Sequence, residues 1–429
     1  MNYFIYYTIV CIIFGEQKKT LDTMKNIITT IIALLIGFQV FGQSFVETEK
    51  QAEQGNSNAQ YELGLNYYEG NATKPNHKKA FYWFKKSAEQ KNIKAQLYCG
   101  VMYFNGEGTE QDIEKGVHWI KKSAEQGDAD AQYFLSTIYS YGLGNYYSSL
   151  KQSFYWAKKC AEQGYAQAQY RVGEYYYRGT GTITDYDQAF YWYKKGAEQG
   201  YINAQTMLGA LYIFGYGTPV DEKKAFYWTH KVAEQGDNDA QKQIGSYYYK
   251  GIGVDQDYKQ AFVWYKKSAE NGSMEGQYQL AKMYRDGIGV TKDNKQAFYW
   301  MKKCAEQGKK FAQCDIGNMY RDGIGIDKDY KQAMAWYMKS AEQGSSIAGY
   351  EVGNMYKKGL GVEKNYEKAF YWYKESATSL YSPAQYNLGV AYYYGIGTAV
   401  DKEQAKIQLL RSYRDGNKDA KKFLENNKF

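Results

Sequence analysis

The chain holds 429 residues, among them 49 tyrosines, 9 tryptophans and 43 glycines against 3 prolines and 3 histidines, with a formal net charge of +8. An apolar share of 44% excludes a disordered chain, and so mild a charge on so long a chain argues against a nucleic-acid partner. Single cores stop growing at about 250–300 residues, so the chain is expected either to divide into domains or to repeat.

Residues 1–42 differ in character from the rest of the chain. From Met24, Lys25 precedes the apolar run IITTIIALLIGFQVF, and Gly42 comes after it. One basic residue, a short apolar stretch and small residues near a cut read as a secretory signal peptide. The run is shorter than the roughly 20 residues a spanning helix needs. Residues 1–23 read as an over-long start, with Met24 the initiator, and no cysteine stands at the cut to carry a lipid. The mature chain is therefore expected to be exported, periplasmic or extracellular, without a membrane span. Residues 43–55 form an N-terminal cap in this reading, and residues 417–429 a C-terminal one.

Residues 56–416 repeat. Trp83, Trp119, Trp156, Trp192, Trp228, Trp264, Trp300, Trp336 and Trp372 recur every 36 residues, with one step of 37. Tyr67, Tyr103, Tyr139, Tyr176, Tyr212, Tyr248, Tyr284, Tyr320, Tyr356 and Tyr392 recur ten times, so ten copies exist and the last lacks its tryptophan. Each copy reads as two helices. In the first, Ala59, Leu63, Asn66, Tyr67 and Gly70 share a face at spacings of three and four. A GxG loop stops it. In the second helix Ala261, Trp264, Tyr265, Ser268 and Ala269 make one apolar stripe. One such hairpin cannot bury its stripe alone, so copies must stack. The expected fold is all-α, a right-handed α/α superhelical solenoid of ten helix-turn-helix repeats of about 36 residues.

The pattern AQYxLGxxYxxGxGVxxDxxKAFxWYKKSAEQG resembles the Sel-1-like repeat, a relative of the tetratricopeptide repeat, over some 360 residues. The resemblance implies an adaptor or scaffold that binds a protein or peptide, with the first helix of each repeat lining a concave side. Fold alone is an analogy for function.

Little in the chain points to chemistry. His77, His118 and His230 lie in different repeats without metal-ligand spacing, and the GxG loops come after helices rather than strands. Loop residues Asp322, Asp327 and Asp329 do not match a calcium loop and read as turn residues and helix caps. No catalytic residue, cofactor or metal is expected. Of the cysteines after the leader, Cys99, Cys160, Cys304 and Cys314, a bond is geometrically conceivable only between Cys304 and Cys314, across the junction of two repeats, and the favoured reading leaves both free as small residues in packed or groove positions. A branch of the Sel-1-like family is secreted, stapled by one cysteine pair per repeat and described as acting on penicillins. This chain lacks the staples but contains SSLK at Ser148–Lys151, the serine-x-x-lysine spacing, without the accompanying SDN or KTG.

If the alanine opening the first helix is position 1, the face opposite the stripe is centred on positions 3, 7 and 10. Candidate partner-binding residues there are Tyr61, Tyr68, Phe104, Tyr133, Tyr170, Tyr177, Tyr249, Lys282, Arg285, Asn318, Arg321, Asn354, Lys357 and Tyr393. Early copies present aromatic and apolar groups, and copies seven to nine present bases and amides. That suits a ligand with an apolar portion and an acidic portion. The alternatives are a cell-wall-active or β-lactamase-like protein and, because aromatic rings stack on sugars, a glycan-binding platform.

Overall fold

The computed structural model describes residues 45–71, 73–142 and 148–427; the expected leader lies outside them. Among the described residues all regular structure is helical, 22 helices in all, and none is long and apolar enough to cross a membrane. Each of ten repeats supplies an A helix and a B helix of thirteen residues, from Ser57–Glu69 with His77–Glu89 to Ser382–Tyr394 with Lys402–Arg414. A helix over residues 45–53 precedes them and Lys418–Asn426 closes the chain. The chain divides into two compact units, residues 1–199 with repeats 1–4 and residues 200–429 with repeats 5–10. In each, the hairpins stack as an α-solenoid.

Local chemistry sets the helix ends. The Asn56 side chain accepts from the Ala59 N–H, satisfying one orphan donor at the start of the first A helix. Gly70, with φ +76°, closes that helix in the left-handed region. B helices begin on a side chain such as Asp329, which accepts from the N–H groups of Lys331 and Gln332. The second glycine of the GxG loop has a further role that the repeat pattern alone does not reveal. A Cβ on Gly325 would collide with the carbonyl oxygen of Asn294 in the preceding repeat, so this glycine lets consecutive repeats touch backbone to backbone.

Within a repeat, A and B helices meet at a small residue. A Cβ on Gly64 would lie 2.6 Å from the Phe84 ring, and one on Gly245 2.7 Å from the Tyr265 ring. Repeat 7 places Ala281 and Met301 at the equivalent sites, trading a methyl for a slimmer partner. Between repeats the recurring tyrosine is the mortar. Phe262 meets Tyr284 edge to face at 5.2 Å, Phe298 meets Tyr320 at 5.2 Å, and Phe81 meets Tyr103 at 4.8 Å. Each such pair contributes about 0.5–1.5 kcal/mol beyond its buried area.

A buried glutamine ladder runs beside the rings. Gln96 Nε2 donates to the Ala88 carbonyl at 3.2 Å while its Oε1 accepts from Gln126 at 2.6 Å. Gln132, Gln169, Gln277 and Gln313 repeat both bonds with Ala124 and Gln163, Ala161 and Gln199, Ala269 and Gln307, and Ala305 and Gln343. The glutamine of the EQG ending is thus the outer rung of a polar spine, each bond contributing about 1 kcal/mol net. The spine is interrupted at repeat 9, where Gly349 replaces the inner glutamine. In repeat 10 the buried Gln385 amide has no hydrogen-bond partner for either atom.

The stripes differ from expectation in one helix type. The B helix buries the five residues expected of it, Ala261, Trp264, Tyr265, Ser268 and Ala269. The first A helix buries Ala59, Leu63 and Tyr67 together with Gln60 and Gly64, while Asn66 and Gly70 are half-buried. The inward arc is therefore shifted toward positions 2 and 6, because the glutamine finds backbone and amide partners inside. The four cysteines are all unpaired and buried, so Cys304 and Cys314 are not bonded to each other. Cys160 and Cys304 donate from Sγ to the carbonyls of Ala129 and Met274 at 3.2 Å, where Ser123 and Ser340 donate to Ile93 and Lys310 in other repeats. Burial pushes all four thiols up to about 12, which keeps them protonated and poorly nucleophilic.

Candidate functional site

The A helices of repeats 1–3 line a half-open recess of about 310 Å³. Tyr61 and Tyr68 line it from repeat 1, Leu97, Tyr98, Val101 and Met102 from repeat 2, and Phe134 from repeat 3, with Lys94 and Asp130 at its polar edge. Tyr98 stacks on Phe84 with ring centroids 4.8 Å apart and stands 6.0 Å from Tyr61 and 5.9 Å from Tyr68. Tyr68 donates its hydroxyl to Glu107 Oε2 at 3.0 Å. Burial, with the added repulsion of nearby carboxylates, raises the phenol pKa of Tyr61, Tyr68 and Tyr98, so all three rings carry neutral hydroxyls.

Lys94 is held in place by two carboxylates, 2.8 Å from Asp128 and 2.9 Å from Asp130. Burial alone would lower its pKa, and the bonds to Asp128 and Asp130 outweigh that and raise it. Asp128 is itself fixed, because it caps the A helix of repeat 3 by accepting from the Ala131 N–H at 2.8 Å.

The remaining candidates of the first unit sit on the same face outside this cavity lining. Phe104 meets Phe134 edge to face at 5.5 Å, and Tyr170 packs on Tyr193 at 5.6 Å. Tyr133 lies 5.5 Å from Tyr165 and beneath the Arg171 guanidinium at 4.6 Å, while Tyr177 lies 5.5 Å from Tyr186.

The second unit brings its candidates together differently. Arg285 forms a fork with Asp286 at 2.8 and 3.1 Å. Arg321 does the same with Asp322 at 2.8 Å and adds Glu351 at 3.2 Å. Asn318 and Asn354 accept the hydroxyl protons of the buried Tyr337 and Tyr373, each at 2.8 Å. Lys282 lies over the Tyr278 ring at 5.7 Å, whose hydroxyl donates to Asp315 at 3.2 Å. Lys357 lines a small cleft with Asn387 and Val390. Tyr249 meets Tyr258 at 5.1 Å, and Tyr393 meets Phe423 of the terminal helix at 5.3 Å.

Sequence reasoning missed position 4. Tyr98, Phe134, Arg171, Asp315 and Glu351 all occupy it, and each reaches back to positions 3, 7 or 10 of the preceding repeat. Helical arithmetic could have found it: position 4 lies about 60° from position 7, as near as position 10 does. Ser148, at the head of SSLK, is exposed and donates to the Ser140 carbonyl at 3.3 Å, and Lys151 is exposed one turn on.

The Sel1 repeat model matches ten times, at residues 57–92, 93–128, 129–165, 166–201, 202–237, 238–273, 275–309, 310–345, 346–379 and 382–416. Among solved structures, the chain is similar to a protective antigen present in uropathogenic Escherichia coli strains and displaying an SLR fold. That pair shares 33% identity over 89% of this chain and 91% of the other, with a TM-score of 0.56. It is also similar to a Sel1 repeat protein from Oxalobacter formigenes, with 30% identity, 72% of this chain and 89% of that one, and a TM-score of 0.61. No curated protein matches.

Proposed function

We propose, from the premise that this chain belongs to the Sel1 repeat family, that it is an exported, non-enzymatic scaffold that binds a protein or peptide on its A-helix face. Sel1 repeat proteins generally mediate protein–protein interaction, and the family is generally non-enzymatic. The observation that carries the reading is the cavity of repeats 1–3, an aromatic and apolar recess with one fixed polar edge. Such recesses take up the anchor side chains that dominate interface energetics. In the second unit, Lys282 and Lys357 would meet an acidic segment of the partner, whereas Arg285 and Arg321 would first have to leave Asp286, Asp322 and Glu351.

Val101→Arg would fill the recess while leaving the inward stripe intact. Envelope extract from the producing cell is passed over the immobilised protein, the V101R variant and a Tyr155→Ala variant changed on a B helix. A protein retained by the parent and Y155A but lost with V101R is the expected result; equal recovery on all three would overturn the assigned surface. Glycans or wall fragments recovered in place of a protein would replace the reading with a carbohydrate one, and nitrocefin hydrolysis abolished by Ser148→Ala would replace it with an enzymatic one. Export is tested separately by fusing residues 1–60 to alkaline phosphatase, which is active only outside the cytoplasm. Activity is expected, and an inactive fusion would overturn it.

A further inference from the structure

We infer that the cavity of repeats 1–3 selects a cation, so that the partner segment seated in it presents a lysine or arginine side chain. This rests on the protein-binding reading of the same surface and names the chemistry that surface takes.

Three observations carry it. The walls are ring faces and edges: Tyr98 stands 6.0 Å from Tyr61 and 5.9 Å from Tyr68, Phe84 backs Tyr98, and Phe134 also lines the recess. Aromatic faces attract a cation through their quadrupole. Next, the charge around the recess is one-sided. Asp130 lines it, Asp128 holds Lys94, Glu107 accepts from Tyr68, and Glu62 and Glu69 act on the Tyr61 hydroxyl; among the described lining residues Lys94 alone is cationic, and it is paired with Asp128 and Asp130. An acidic side chain would be repelled there, and a purely apolar one would leave that field unanswered.

The third observation is that two repeats lay a cation of the chain over the same ring, while repeats 4 and 9 pack Tyr170 and Tyr350 against tyrosines instead. Tyr133 is the position 3 ring of repeat 3, and the chain lays the Arg171 guanidinium 4.6 Å over it. Tyr278 is the position 3 ring of repeat 7, and Lys309 lies 5.0 Å over it. In repeat 1 the ring is Tyr61, and the residue equivalent to Arg171 is Tyr98, while Asn92 stands where repeat 8 has Lys309. Where repeats 3 and 7 lay a cation of the chain over the ring, repeat 1 leaves a recess whose Lys94 is held at the edge by Asp128 and Asp130. With a volume near the low end for ligand sites, that recess suits one extended side chain.

A random nine-residue peptide library displayed on phage is selected on the full protein, and each enriched peptide is remade with its Lys or Arg changed to Gln. Enriched peptides should share a basic residue. Gln replacement should weaken binding at least tenfold, Asp130→Asn about threefold, and Tyr98→Leu should remove it. D130N keeps the shape of the side chain and leaves Lys94 its bond to Asp128, so its melting should match the parent and separate charge from folding. Enriched peptides without a basic residue that nonetheless lose binding to V101R would overturn the cation selection and leave the protein-binding reading standing. A library yielding nothing that depends on the recess would overturn both.

Discussion

The A-helix faces of repeats 1–3 and of repeats 7–9 are built on one register and end in opposite chemistry. In both, position 4 of one repeat reaches back to positions 3, 7 or 10 of the repeat before. In repeats 2 and 3 position 4 is Tyr98 and Phe134, and the result is an aromatic recess with a pinned lysine. In repeats 8 and 9 it is Asp315 and Glu351, and the result is a lattice of bonds in which Tyr278 meets Asp315, Arg321 meets Glu351, and buried tyrosine hydroxyls meet amides. The backbone architecture is the same, so a handful of side chains decides whether a Sel1 surface forms an aromatic recess or closes on itself in hydrogen bonds and ion pairs.

The largest expected effect separates the two faces at position 4. Tyr98→Ala removes the ring that stacks on Phe84, and urea unfolding should show a loss of about 3 kcal/mol, as for other large-to-small aromatic changes. Glu351→Ala breaks a half-buried ion pair but leaves Arg321 its fork with Asp322, and should cost about 1 kcal/mol. Equal costs would mean that the recess is not a packed structure.

A sharper comparison applies one substitution in both units and expects opposite signs. The Tyr337 hydroxyl is buried and bonded to Asn318, so Tyr337→Phe should destabilise by about 1 kcal/mol. The equivalent Tyr193 hydroxyl is buried without a hydrogen-bond partner, and Glu174, which stands where repeat 8 has Asn318, pairs with Arg178 at 3.4 Å instead. Tyr193→Phe should therefore be neutral or stabilise by up to about 1 kcal/mol. Calorimetry on the two variants checks this, and a loss in both would mean that Tyr193 finds a partner in solution.

The smallest effect concerns pH and belongs to the second unit. Burial raises the pKa of Asp315, outweighing the bonds from Tyr278 and Asn318 and the pull of Arg285 and Lys282. A carboxyl that holds its proton more tightly when folded contributes most below the ordinary aspartate value of about 3.9 and loses that contribution as pH rises through the raised value. Asp315→Asn should abolish this fall, so parent and variant should diverge with rising pH. Parallel stability curves would contradict the assignment.

Much of this was legible in the sequence because a repeat multiplies its own signal. The tryptophan spacing and paired glycines reveal the hairpin, and ten copies of it reveal the stack. Reading each helix alone also found Tyr61, Tyr68, Arg285 and Asn318 on the outward face. It could not show their partners, because Tyr98, Asp315 and Glu351 lie in the next repeat, and Lys94 is pinned by carboxylates more than thirty residues on. The glutamine ladder escaped for the same reason, since its two rungs stand 30 residues apart and each looks like an ordinary surface amide. Asn318 read as free for a partner, yet it serves the core by accepting from Tyr337.

The central claim is that the recess of repeats 1–3, rather than the B-helix surface, is where a partner docks. A photo-crosslinking amino acid placed at Val101 in the producing cell, beside one at the exposed Tyr155, tests it directly. A discrete protein adduct is expected from position 101, suppressed by a recess-binding peptide, and none from position 155. An adduct from position 155 alone, or one at 101 that the peptide leaves unchanged, would contradict it.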